Sequence, residues 1–105
     1  MKLKKIKSLH ISAQRWFHKT YGNTYHSVTV FVNGETLRAD FVYGYGEQFF
    51  QTAQALLEKA GYDMLLRTDT ENLNSFYSHY LNSWQLREVL KGTYSVADVQ
   101  RKKDL

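Results

Sequence analysis

The chain has 105 residues, a size that suits one domain with one core and leaves no room for a second. It contains no cysteine, which excludes disulfides, thiolate metal sites and thiol nucleophiles and fits a cytoplasmic protein. The net charge is +4, but it sits at the ends: Lys2, Lys4, Lys5 and Lys7 at one, Arg101, Lys102 and Lys103 at the other.

Residues 8–100 hold seven basic and nine acidic side chains, so any attraction to phosphate is expected at these two tips rather than along the body. The basic start, MKLKKIKSLHISAQ, lacks the apolar stretch of a signal peptide. No apolar run approaches the roughly 20 residues that cross a bilayer, so no membrane association is expected.

In chain order, Leu9, Ile11 and Ala13 alternate with polar residues and predict a first strand. Residues Trp16 to Asn23 read as a loop, with Gly22-Asn23 turning the chain. Thr24–Val32 and Glu35–Tyr43 flank Asn33-Gly34, the signature of a two-residue hairpin turn. That turn sets a register of Val30 opposite Leu37, Val28 opposite Ala39 and His26 opposite Phe41 on an apolar face. Thr29 opposite Arg38 and Ser27 opposite Asp40 then fall on a polar one.

Gly44-Tyr45-Gly46 makes a tight strand-to-helix turn. Phe49, Ala53, Leu56, Leu57 and Ala60 then recur on one helical face, with Lys59 and Gly61 suited to its end. A second helix is expected from near Thr68–Glu71, with the stripe Leu73, Phe76, Tyr77, Tyr80, Leu81 and Trp84. Any part of this stripe left uncovered would suit a homodimer or another partner. Gln85–Lys91 either extends that helix or forms a short one ended by Gly92, and Ser95 with Asp98 predicts a final cap. The expected fold is α+β: an antiparallel three-stranded sheet followed by helices packed on one face.

No residue pattern points to catalysis, a cofactor or a metal. His10, His18, His26 and His79 are not spaced as zinc ligands, no serine lies in a nucleophile elbow, and the glycine turn lacks a phosphate-binding lysine. The segment Arg15 to His26 concentrates the chemistry instead. Arg15, Trp16, His18, Lys19, Tyr21 and Tyr25 are residue types that dominate binding hot spots and also suit stacking of unpaired bases.

The run RWFHKTYGNTYHSVTVFVNG, with YGYG before the helix, resembles small open reading frames of phages and mobile elements. The resemblance implies a stoichiometric binder of a host protein, such as a nuclease or CRISPR effector, that inhibits a nucleic-acid-targeting defence. Asn23-Thr24-Tyr25-His26, the Val28/Val30 strand, Asn33-Gly34 and Gly44-x-Gly46 also resemble the βββα part of double-stranded-RNA-binding domains. Where that family carries a lysine cluster, this chain reads Glu47-Gln48-Phe49-Phe50-Gln51. Direct nucleic-acid binding, through the aromatic segment and the basic tips, is the alternative expectation.

Overall fold

The computed structural model describes residues 3–63 and 81–105. It is an α+β fold with two sheets. Strand β1 (Lys4–Lys5) is followed by β2 (Leu9–His18), β3 (Asn23–Val32) and β4 (Glu35–Tyr43). Helix α1 (Phe49–Lys59), β5 (Tyr62–Asp63) and β6 (Thr93–Val99) complete the order. The large sheet runs β4-β3-β2-β6, and β1 pairs with β5 in a small parallel ribbon.

This corrects the expected three-stranded antiparallel sheet with several helices. The large sheet has four strands and is mixed, because β6 lies parallel to β2. One α-helix is present among the described residues. The expected cap at Ser95 and Asp98 is instead the middle of β6: Thr93-Tyr94-Ser95-Val96 is β-branched and aromatic, and pairing with β2 outweighs the local capping pattern. The second helix predicted from Thr68 lies, as far as Tyr80, outside the described residues. Gln85–Val89 forms a π-helical turn, and Lys91 takes a positive φ before Gly92. A methyl group on Gly92 would stand 2.7 Å from Leu86 Cδ1 and 3.1 Å from the Leu9 carbonyl oxygen, so only glycine lets the chain enter β6 this close to β2.

One face of the large sheet builds the core. Leu9, Ile11 and Ala13 of β2 and Val28, Val30 and Val32 of β3 pack against Phe49, Phe50, Ala53 and Leu57 of α1. The predicted helical stripe is therefore the buried face of α1, with Leu56 and Ala60 at its margin. Gly61, at φ 88°, leaves the helix as a left-handed residue and its N–H reaches the Glu58 carbonyl. Residues 4–7 of the basic tip are tied down. Asn33 Oδ1 accepts from the N–H groups of Lys7 (2.7 Å) and Ser8 (3.0 Å), and Asn33 Nδ2 donates to the Lys5 carbonyl (2.9 Å).

The hairpin register holds from Val32 opposite Glu35 to Val28 opposite Ala39 and then slips. His26 faces Val42 and Tyr25 faces Tyr43, so β4 carries one extra residue opposite Ser27. The expected pairings of Ser27 with Asp40 and His26 with Phe41 are both replaced by this bulge. Its effect is to keep Val42 on the core face and to turn Phe41 and Tyr43 to the other.

Candidate functional site

The face of the sheet away from α1 carries a continuous run of rings. The segment expected as a loop is strand: β2 continues to His18, β3 begins at Asn23, and only four residues turn between them. Gly22, at φ 70°, closes that turn with its N–H on the His18 carbonyl (2.8 Å). Alternation along β2 sends Trp16 and His18 to the outer face, and pairing sets Trp16 directly opposite Tyr25.

From the turn inward, Tyr21 stacks on His18 with centroids 4.8 Å apart, and His18 meets Trp16 edge-on at 5.0 Å. Trp16 stacks on Tyr25 at 5.9 Å, and Tyr25 on Phe41 at 4.5 Å with only 15° between planes. Tyr43 closes on Tyr25 edge-on at 5.6 Å. These six side chains span three strands. Phe41 and Tyr43 remain 46% and 62% exposed, and Tyr21 75%, so the ladder is a surface rather than a core.

Of the residues expected to bind, Trp16, His18, Tyr21 and Tyr25 are brought together, and Lys19 sits in the turn beside them. Lys19 has no acidic partner among the described residues. Arg15 is not part of this face. It lies one residue out of phase with Trp16, and its guanidinium is bound to Asp98 (2.9 Å) and to the Gly46 carbonyl (3.0 Å). There it lines an open cleft of about 350 Å³ with Phe17, Lys19, Thr24, Gly46 and Asp98. Its work is to join the ends of β2 and β6 to the glycine turn.

The basic tips separate. Lys4 and Lys5 lie in β1 and Lys7 follows it, beside the Asn33 turn at the end of the sheet away from the ladder. Lys4 approaches Glu35 (3.8 Å) and covers the Tyr62 ring (4.2 Å). Lys2 is outside the described residues. At the other tip, Lys102 lies over the Phe41 ring at 4.9 Å, and Arg101 is held by Asp104 at 3.2 Å.

Phe41 and Tyr43 were not among the expected site residues, because an unbroken register sends both to the core face. The signal for them is the run Phe41-Val42-Tyr43, where three apolar residues in succession break the alternation that holds from Leu37 to Ala39.

Among the described residues, no three histidine or carboxylate side chains gather as a metal site. His26, the most buried histidine, has both ring nitrogens engaged inside the fold. No described helix is long and apolar enough to cross a membrane. No family model, curated protein or solved structure matches the chain.

Proposed function

We propose that the protein binds an unpaired nucleic-acid strand on the outer face of its large sheet, with bases stacking on the open faces of Phe41 and Tyr43 and packing against the edges of Trp16 and Tyr25. The observation that carries this reading is the ladder itself. Large rings of this number left part-exposed on one face suit a partner of matching shape, and every nucleobase offers a flat π-surface. Lys19 beside Trp16 and His18, Lys102 over Phe41 and the exposed Lys103 of the same turn would supply the phosphate contacts, and the Arg38 guanidinium is on the same face, bonded to Thr29 and Asp40.

The test is a fluorescence-anisotropy titration with single- and double-stranded DNA and RNA at about 50 and 200 mM salt. Single strands should bind more tightly than duplexes. Phe41→Ala and Tyr43→Ala should each weaken binding about 5- to 100-fold, the size of one lost stacking contact. Equal affinity of wild type and both variants would sink the reading.

A second reading rests on a separate observation. No described strand pairs with the outer edge of β6, and Val96 on it is 37% exposed. An edge of this kind suits addition of a strand from a host protein in the cytoplasm, a nuclease or CRISPR effector included. Absence of any oligonucleotide binding at either salt would leave that reading standing.

A further inference from the structure

The ladder carries a segment of its own chain. Strand β6 is one edge of the large sheet and β4 the other, with β2 and β3 between them. Yet the residues that follow β6 end against β4. Lys102 Nζ stands 4.9 Å from the Phe41 ring centre, and Arg38 Nη2 donates to the main-chain oxygen of Leu105 at 3.2 Å. The segment therefore spans three interstrand spacings, about 14 Å, on the face opposite α1. Gln100 leaves β6 beside Trp16 and His18. A single 3₁₀ turn, Lys102–Asp104, then compacts the crossing, with the Asp104 N–H on the Arg101 carbonyl and the Arg101 side chain on the Asp104 carboxylate.

What holds the segment is slight. Residues 101–104 are exposed, and Leu105 is only half-buried. The ring contact and the Arg38 bond are both at the surface, where such contacts are weak and screened by salt. The ammonium of Lys102 nevertheless occupies the side of Phe41 on which a base would stack. A cation over the ring and a base on the same ring exclude each other.

We propose that residues 101–105 form a strap that competes with nucleic acid for the ladder, so that the resting protein binds below its intrinsic affinity. This rests on the single-strand reading above. Opening the strap exposes Phe41 and frees Lys102 and Lys103 for the phosphates of the incoming strand. The ligand that best displaces it is one that offers bases and phosphates together.

The two roles of Lys102, blocking a base and gripping a phosphate, are separated by the charge of the probe. Wild type and Lys102→Ala would be titrated with oligothymidylate and with its uncharged methylphosphonate analogue. Ring-current shifts of the Lys102 side-chain protons would be read by NMR in the ligand-free wild type. The strap requires upfield-shifted Lys102 ε-protons, and about two- to fivefold tighter binding of the uncharged strand by Lys102→Ala, the worth of one exposed cation–ring contact. Unshifted ε-protons, or an uncharged strand bound equally or more weakly by the variant, would overturn it. Shifted ε-protons with no binding of either strand by either protein would overturn the single-strand reading and the competition with it, leaving the segment a fixed part of the fold.

Discussion

Both ring nitrogens of His26 are engaged inside the core, and the partners decide its tautomer. The Gly44 carbonyl can only accept, so Nδ1–H donates to it (3.1 Å), and Nε2 is left to accept from the Thr52 hydroxyl (2.6 Å). The ring is neutral in this arrangement. Burial lowers its pKa below the ordinary histidine value of 6.5, partly offset by the Gly44 bond. In the unfolded chain the same ring takes up its proton at the ordinary value. Above that pH both states are neutral and the contribution of His26 is complete. Below it the unfolded state binds the extra proton, so stability falls as the solution is acidified toward the folded pKa. Urea denaturation from pH 7.5 to pH 5 should show this loss, and His26→Gln should flatten the His26 part of the slope. A wild-type profile without a decline below pH 6.5 would contradict the neutral, buried assignment.

Among the elements, the Asn33-Gly34 turn does two jobs. Both residues take positive φ, 51° and 82°, as a type I′ turn requires. The Asn33 side chain also makes three hydrogen bonds to the backbone between Lys5 and Ser8, so one residue joins the β3–β4 hairpin to the β1–β2 link. Asn33→Gly keeps the backbone geometry and removes those bonds. It should cost about 1–3 kcal/mol by chemical denaturation, with hydrogen exchange accelerating first at Lys7 and Ser8. Fast exchange at those two amides in the wild type would argue against the tie.

The turn was legible in the sequence, as were the apolar face of α1 and the inner half of the hairpin register, because each follows from residues close together along the chain. The rest depended on pairings that local patterns do not encode. The parallel union of β2 with β6 joins positions 83 residues apart, such as His10 and Thr93, linked at 2.7 Å through Nδ1 and Oγ1. The bulge opposite Ser27 inverts Phe41 and Tyr43 with only a broken alternation to announce it. For the candidate site, the residue types of segment 15–26 were readable. Their division between two faces, which removes Arg15, follows from β2 running on to His18, and Phe41 joins the site through the bulge.

At the scale of the molecule, charge and aromatic surface are distributed unevenly. The cations beside the ladder that lack an acidic partner among the described residues are few, Lys19 and Lys102 with Lys103 in the same short turn, since Arg38 is engaged by Asp40, whereas Lys4, Lys5 and Lys7 stand at the far end of the sheet. Three phosphate contacts to a single strand give a slope of log affinity against log salt of about −2. A short oligonucleotide should show that shallow slope, and replacing Lys4, Lys5 and Lys7 together by alanine should leave its affinity within about twofold. Replacing Lys19 and Lys103 should flatten the slope by about one to one and a half. A marked loss on removing the first group would place the binding face elsewhere.

The parallel seam between β2 and β6 also has a consequence for biosynthesis. During translation, β2, β3 and β4 can zip together as soon as they emerge, since short turns join them. The second edge of β2 has no partner until residues 93–99 have been made. Through that interval the nascent protein presents an unpaired β2 edge beside Ile11 and Ala13, which form core in the finished fold. A ribosome stalled before residue 93 would therefore display an aggregation-prone intermediate, and β6 acts as the latch that ends its exposure.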